Sequence, residues 1–529
     1  MTSPCLTIQV IAAESTEEML QAYRHADARA DVVELRFDTV RNLQPDRLLA
    51  ARGKPKLVTV RSRQQGGEAH PADRETLIRR AIKAEVEYVD LEFGDHDQHL
   101  VTGRGPTRRI LSWHDHQTTP ADLPLLVERM RAAADGAILK IVTYADALTD
   151  NLRIRDLLKG QPAGSLIAFC MGQKGIVSRV LARAWGSAGI YAPGRGSPAS
   201  APGQVSLEDL FDLYRFDRIG HDTRLLGVVG SPVGHSLSPL MHNAALTALD
   251  LDYRYVPLEA PSLAELLPLV SELPFAGLSV TLPHKEAIRA YLDDIDETAR
   301  AVGAVNTVVR RWNRLLGSNT DVEASIAPLK AVMALKGARV AVIGAGGAAR
   351  ALVCGLTREG ARVTVFNRTA ARARELARSF GARARPWSDL RRFACDAVIN
   401  ATSVGLAPLS EKSPVPPGWI TAPLVYDLIY NPPETALLRA AAQRGAQVIG
   451  GVEMFVHQGA EQFRRFTGGE PPVDLMRRQV LAALQGTPHA TPPDGAPPRA
   501  GATRGGRTRA GATRTGAPRR RRKARRTGA

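Results

Sequence analysis

Over the first 218 residues, short runs of β-rich apolar residues alternate with stretches whose apolar positions recur at helical spacing. The runs are LTIQVIA (6–12), DVVELRF (31–37), KLVTVR (56–61), EYVDLE (87–92), RILSW (109–113), AILKIV (137–142), SLIAFCM (165–171) and AGIYA (188–192). Helical patterns such as TEEMLQAYRHA and DLPLLVERMRAAA separate most of them. Eight βα units in about 215 residues predict a small parallel (β/α)8, or TIM, barrel. Chemistry in such a barrel gathers at the carboxyl ends of the strands. Glu34, Arg36, Arg61, Glu92, His114 and Lys140 lie in or just past those ends and are therefore candidates.

A second βα series begins near Thr223 with RLLGVVGSP and runs to Gly486. It divides near Lys330, where LKGARVAVIGAGGAARALVCGL reads as strand, glycine turn and helix. The predicted class is α/β throughout, with a barrel over 1–218, a small α/β domain over 223–329, a Rossmann-type nucleotide-binding domain over 330–486 and a tail over 487–529. The length of 529 residues, beyond what one core usually supports, agrees with several domains.

Composition narrows the class. With 44% hydrophobic and 23% charged residues the chain is globular, which excludes a largely disordered or collagen-like protein. Cys5, Cys170, Cys354 and Cys395 form no C-x-x-C pair, which argues against a disulfide scaffold or a zinc ribbon and for the reducing cytoplasm. The scattered histidines lack ligand spacing, so no metal is expected. The start, MTSPCLTIQVIAAEST, has no basic region of the secretory kind, and no apolar stretch reaches membrane-spanning length. Of the net charge of +17, residues 487–529 carry +11, from twelve Lys and Arg against one Asp. The basicity thus belongs mainly to the tail, whose Pro, Gly, Ala, Thr and Arg composition predicts disorder. Any contact with nucleic acid is expected only through it.

The glycine turn has the form G-x-G-x-x-A: Gly344, Ala345, Gly346, Gly347, Ala348 and Ala349. Gly344 allows the tight turn, Gly346 lets the backbone approach a pyrophosphate, and the helix amino terminus faces the negative charge. An NAD-binding fold normally ends its second strand with an acid. Here ARVTVFNRT ends in Asn367, Arg368 and Thr369, with Arg372 one turn on. Guanidinium groups can clamp a 2′-phosphate that an acid would repel, so the expected cofactor is NADP.

Residues 223–486 resemble shikimate dehydrogenase over their whole length. The matching motifs are GSPVGHSLSPLMHNAAL (230–246), GLSVTLPHKE (277–286), GAVNT (303–307), GSNTD (317–321), NATSVG (400–405), YDLIYNPPET (426–435) and GVEMFVHQ (451–458). The resemblance implies that Ser236 and Ser238 hold a substrate carboxylate and that Lys285 and Asp321 are the catalytic pair. It assigns ring contacts to Ser279, Thr281, Asn306, Tyr430 and Gln458, and cofactor contacts to Thr402 and Gly451 beside the glycine turn. The family often has Asn where this chain has Ser279. Quinate is the competing substrate, and the two serines with the NADP signature favour shikimate.

The first 215 residues resemble type I 3-dehydroquinate dehydratase, through VVELRFD (32–38), VRSRQQGGE (60–68), VDLE (89–92), SWHDHQTTP (112–120), ILKIV (138–142), MGQKGIVSRV (171–180) and SPASAPGQVS (197–206). Lys140 stands mid-strand in an apolar run, where burial disfavours the ammonium and leaves a nucleophilic amine. The resemblance makes Lys140 the Schiff-base residue and His114, with His116 as its neighbouring alternative, the general acid and base. It pairs Arg179, Ser200 and Gln204 with the substrate carboxylate, and gives Glu34, Arg36 and Arg61 the hydroxyls or the wall. One departure stands out: the family usually reads R-x-x-x-E-G-G, and Gln65 occupies the glutamate position. An amide can orient His114 but cannot favour its imidazolium, so a lowered histidine pKa and reduced turnover are expected, unless Glu68 compensates or the register differs. The two resemblances together imply a fused enzyme that acts on 3-dehydroquinate, 3-dehydroshikimate and shikimate. A degenerate barrel is the alternative, and a homodimer is left open.

Overall fold

The computed structural model describes residues 5–68, 71–103, 105–134, 136–194 and 203–486. Ser200 and the tail therefore lie outside the described residues.

All eight expected barrel strands form: β1 (Leu6–Ile11), β2 (Val32–Arg36), β3 (Lys56–Thr59), β4 (Tyr88–Glu92), β5 (Arg108–His114), β6 (Ile138–Tyr144), β7 (Leu166–Met171) and β8 (Gly189–Pro193). They pair in parallel in the order β7-β6-β5-β4-β3-β2-β1-β8. The gap between β7 and β8 is bridged by Ala188 N donating to Leu166 O at 2.8 Å, so the sheet is a nearly closed barrel. The strands are buried on both faces, which is why they read as continuous apolar runs.

Beyond the barrel come β9 (Arg224–Gly230), β10 (Tyr253–Glu259), β11 (Phe275–Val280), β12 (Asp294–Ile295), β13 (Thr307–Arg311) and β14 (Arg314–Ser318). They form one mixed sheet in the order β10-β9-β11-β13-β14-β12, in which β11–β13 and β13–β14 are antiparallel. A third, wholly parallel sheet is built from β15 (Arg339–Ile343), β16 (Arg362–Phe366), β17 (Arg383–Arg385), β18 (Ala397–Asn400), β19 (Leu424–Asp427) and β20 (Gln447–Ile449). Its order, β17-β16-β15-β18-β19-β20, is the doubly wound Rossmann arrangement, with the strand order reversing between β15 and β18.

The barrel and the second sheet share a core. Ile167, Val177 and Val180 of the barrel belong to the same buried cluster as Leu207, Leu210, Tyr214 and Phe216 of the connection and Val256, Leu258 and Leu263 of the second sheet's layer. Among the described residues no helix is long and apolar enough to cross a membrane.

Candidate active sites

Three neighbouring strands set the barrel site. In the register of β4, β5 and β6, Glu92 lies opposite Ser112 and Ser112 opposite Lys140, so the three side chains stand in a row. Lys140 Nζ is buried, 3.2 Å from Asp90 Oδ2 and 3.9 Å from the centre of the Tyr191 ring. Asp90 is heavily shared: Ser112 Oγ donates to its Oδ1 at 2.6 Å and Arg61 Nη1 stands 3.0 Å away. Burial alone would raise the Asp90 carboxyl, but Arg61 and Lys140 outweigh it and hold it at about 2. Burial lowers the Lys140 ammonium, and Asp90 restores only part of its stability.

His114 closes β5 above this row. Its Nδ1 lies 2.8 Å from Gln65 Oε1. The amide oxygen only accepts, so the imidazole carries its proton on Nδ1 and presents Nε2 as a free lone pair. Burial, then the charges of Arg61 and Lys140, push the His114 pKa well below its ordinary value. The 2.8 Å contact also settles the register: position 65 faces the histidine. Glu68 is exposed, and its carbonyl accepts from Arg63, so it does not take over the role. His116 instead stacks beside His114, its ring nitrogen meeting the Gln65 carbonyl at 3.2 Å.

A cavity of about 540 Å³, counting its open mouth, collects Glu34, Arg36, Arg61, Gln65, His114, Lys140, Arg179, Tyr191 and Gln204. Glu34 accepts from Thr59 Oγ1 at 2.7 Å, and Arg36 forms a two-point pair with Asp38 at 2.9 and 2.8 Å. Arg179 differs from both. It is fully buried and lies 4.6 Å over the Phe169 ring, and among the described residues neither its Nε nor its Nη2 has a hydrogen-bond partner. Burial lowers its pKa to about 10. Asp90, Ser112, Phe169 and Tyr191 were not singled out from the sequence. The Tyr191 hydroxyl is also buried without a partner among the described residues, and burial raises its pKa well above the usual tyrosine value.

The second site is tied together by a chain of hydrogen bonds across distant segments. Lys285 Nζ donates to Asp321 Oδ2 at 2.6 Å, and Asn306 Nδ2 donates to Asp321 Oδ1 at 2.8 Å. Asn306 Oδ1 in turn accepts from Thr307 Oγ1 and Thr320 N, both at 2.8 Å. Gln462 Nε2 donates to Asn306 O and Thr307 Oγ1 at 3.1 Å each, and its Oε1 accepts from Ser279 Oγ at 2.8 Å. Tyr255 completes the chain by donating to Ser279 Oγ at 2.7 Å. Ser279 and Asn306 thus spend their side-chain donors inside the protein. Gln462, buried and four residues beyond Gln458 on the helix Gly451–Thr467, was not foreseen.

The remaining expected residues surround this chain. Ser238 opens the helix Ser238–Ala248 and its backbone N–H donates to Ser236 Oγ at 3.3 Å. Thr281 follows β11 and donates its backbone N–H to Val229 O. Gln458 is partly exposed, and Tyr430 stacks on Phe455 one turn before it, with ring centres 4.6 Å apart.

At the third sheet's switch point, Gly344 has φ +114, and a Cβ there would stand 2.8 Å from Ala401 O, so only glycine fits. Gly346 and Gly347 open the helix Gly347–Arg358 and are exposed, with nothing within 4 Å of where a Cβ would be. The backbone therefore offers bare amides to open space, as a pyrophosphate requires. Ala345 and Ala348 flank them, and Thr402 borders the turn from the end of β18, its hydroxyl donating to Asn400 Oδ1 at 2.7 Å. Gly451 packs against Leu428 and Ile429 with no room for a side chain. Past β16, Asn367 Nδ2 donates to Thr369 O, as does the backbone N–H of Arg372, while the exposed side chains of Arg368 and Arg372 have no hydrogen bond or ion pair among the described residues. The residues present thus fit an NADP-type dinucleotide. Among the described residues, no group of three or more His, Cys, Asp or Glu could hold a metal ion.

Fold and sites define a chain with two active centres: a lysine-bearing parallel barrel and a dinucleotide-dependent oxidoreductase. Comparison with known proteins gives the family. Residues 8–221 match the type I 3-dehydroquinase family, 228–308 the shikimate dehydrogenase substrate binding domain, 327–415 the shikimate/quinate 5-dehydrogenase family and 451–481 the shikimate 5′-dehydrogenase C-terminal domain. The chloroplastic bifunctional 3-dehydroquinate dehydratase/shikimate dehydrogenase of Arabidopsis thaliana is 35% identical, covering 89% of this chain and 84% of its own. The shikimate biosynthesis protein AroDE of Chlamydia pneumoniae is 31% identical, over 82% of this chain and 89% of its own. Shikimate dehydrogenase (NADP(+)) of Shouchella clausii is 43% identical, over 50% of this chain and 99% of its own. The chain belongs to the family of bifunctional 3-dehydroquinate dehydratase/shikimate dehydrogenases, a lyase and an NADP-dependent oxidoreductase in one polypeptide.

Proposed function

We propose that Lys140 and His114 dehydrate 3-dehydroquinate in the barrel, and that Lys285 and Asp321 serve the reduction of the resulting 3-dehydroshikimate to shikimate. The neutral Lys140 amine adds to the ring ketone, and water leaves as the iminium forms. His114 Nε2 takes a proton from the adjacent carbon, and the iminium accepts the electron pair as an enamine. That pair then expels the hydroxyl two carbons from the imine, which leaves as water with the proton returned by His114. A second water hydrolyses the iminium, freeing Lys140 and the conjugated ketone. Arg179 holds the substrate carboxylate, with Gln204 beside it at the cavity.

Bound NADPH supplies the hydride for the second reaction. Gly344, Gly346 and Gly347 seat its pyrophosphate, and Arg368 and Arg372 its 2′-phosphate. Lys285 gives a proton to the oxygen that becomes a hydroxyl, and Asp321, fixed by Asn306, orients the ammonium. Ser236 and Ser238 bind the carboxylate, with Thr281, Tyr430 and Gln458 around the ring.

One observation carries this reading: a buried lysine beside a committed carboxylate shares its cavity with a buried arginine whose Nε and Nη2 have no partner among the described residues. The test supplies 3-dehydroquinate and borohydride to the protein and locates the adduct by mass spectrometry, then supplies 3-dehydroquinate with NADPH. An adduct on Lys140 and shikimate formation support it. NADPH consumption only when 3-dehydroshikimate is supplied directly would mean a degenerate barrel. Contact of residues 487–529 with a polyanion is a separate proposal resting on their charge. Salt-sensitive RNA binding that disappears with the tail would support it, and equal binding without the tail would refute it.

A further inference from the structure

The segment that presents Arg179 is short. After β7 the chain turns through Gln173–Gly175 and enters the helix Ile176–Val180, whose five residues are too few to hold themselves in place. Arg179 offers little anchoring of its own, since its guanidinium stacks on Phe169 and two of its nitrogens have no partner among the described residues. Its position depends on what fixes the backbone around it.

Two sides supply that support. On the barrel side, Asn151 Nδ2 donates to Lys174 O at 2.7 Å, Ser178 N donates to Asn151 Oδ1 at 2.9 Å, and Lys174 Nζ donates to Asp146 O at 2.5 Å. The other side is the dehydrogenase half. Lys174 Nζ also donates to Glu265 Oε2 at 2.8 Å, where the two side chains are only 18% and 25% exposed. Glu265 lies on the helix Leu263–Glu272 of the second sheet's layer. Gln173 meets that half as well: its Oε1 is 3.2 Å from where a Cβ on Gly234 would stand, in the loop leading to Ser236 and Ser238. Gly172, at the start of the segment, packs its carbonyl against Gly203, next to Gln204 at the cavity.

We propose that Glu265, a residue of the dehydrogenase half, is a positioning residue for the dehydratase, because through Lys174 it fixes the turn that places Arg179. This rests on the reading of Arg179 as the carboxylate partner. The barrel's affinity for its substrate then depends on a side chain outside the barrel, while the dehydrogenase does not need that side chain for its own reaction.

The test uses the full chain, with kcat and KM measured for both reactions on each preparation. Glu265→Gln is expected to raise the KM for 3-dehydroquinate about three- to fivefold, the scale of a partly exposed ion pair, with kcat little changed. The dehydrogenase constants for shikimate and NADP+ should stay as they are, and Lys174→Glu combined with Glu265→Lys should recover most of the loss. Arg179→Met serves as the reference and should raise the same KM further. An unchanged KM in Glu265→Gln beside a raised one in Arg179→Met overturns the proposal. So does a parallel fall of both activities with altered near-ultraviolet circular dichroism, which would indicate a general structural role. Should Arg179→Met leave the KM unchanged, the reading of Arg179 falls first and this proposal with it.

Discussion

Gln65→Glu restores a carboxylate to the nitrogen of His114 that faces away from the substrate, at a contact that is 2.8 Å in the present chain. Opposite charges about 4 Å apart attract by about 4 kcal/mol at an effective dielectric of roughly 20. Desolvating the new carboxylate cancels part of this. Only the share of proton transfer completed in the transition state reaches the rate, which leaves about 1.4 kcal/mol, or a gain of about tenfold in dehydration near neutral pH. A second signature has a definite sign. His114 works as a base only when neutral, and its pKa now lies well below the ordinary value because of burial and the nearby Arg61 and Lys140 charges. The present enzyme should therefore keep its activity into acid. The variant, holding its proton more tightly, should lose activity at higher pH, so that the acid limb of kcat moves upward. The assay is the ultraviolet absorbance of the conjugated ketone, followed from acid to neutral pH. A kcat that stays the same or falls at neutral pH, or an acid limb that does not move, would refute the reasoning.

Lys140→Met should abolish the borohydride adduct and lower dehydration by about a thousandfold or more, with shikimate oxidation intact on the same sample. A residual adduct elsewhere in the barrel would show that another amine does the work. Lys285→Met should reduce dehydrogenase kcat by about 10²- to 10⁴-fold with little change in NADP+ KM, leaving the dehydratase untouched; a change confined to KM would reduce Lys285 to a binding role. Removing both Arg368 and Arg372 should raise the KM for NADPH about tenfold or more and leave that for NADH nearly unaltered, and equal losses for both cofactors would contradict the 2′-phosphate assignment.

Strand positions were legible because a parallel strand buried on both faces leaves an apolar run: AILKIV, expected over 137–142, forms Ile138–Tyr144. Lys140 and His114 were legible for the converse reason, as polar residues where apolar ones belong. Asp90 was not, although it stands two residues before Glu92 on the same face of β4. Its contact with Lys140 is fixed by the register of β4 on β5 and of β5 on β6, which no local pattern records. Tyr191 was lost inside the apolar AGIYA for the same reason. In the second half, motif spacing brought out Asn306 and Ser279 but not the direction of their hydrogen bonds. That depends on Gln462, more than 150 residues away in sequence from both. The spacing of Gln462 four residues after Gln458 was the available hint. Across the expected boundary near 218–223, Phe216 and Ile219 share one core with Leu225 and Val256, a contact that no local pattern records.

The charges at the barrel mouth fit the proposed role of the Lys140 amine as nucleophile. Arg36 is matched by Asp38, and Arg61 by Asp90 and Glu92. Asp90 faces Lys140 too, but Arg61 and Ser112 already occupy its other oxygen, so it returns to the lysine only part of what burial removes. A carboxylate devoted to Lys140 alone would hold the ammonium and suppress addition to a ketone. Without Arg61, Asp90 would be that carboxylate. On the proposed mechanism Arg61 therefore serves the reaction by engaging Asp90, whether or not it touches the substrate. Arg179 is the complementary case: its Nε and Nη2 have no partner among the described residues, and in the proposed reaction the substrate carboxylate supplies one. On that proposal, binding brings an anion to Arg179 without adding one to Lys140, so the substrate is held while the amine stays free to react.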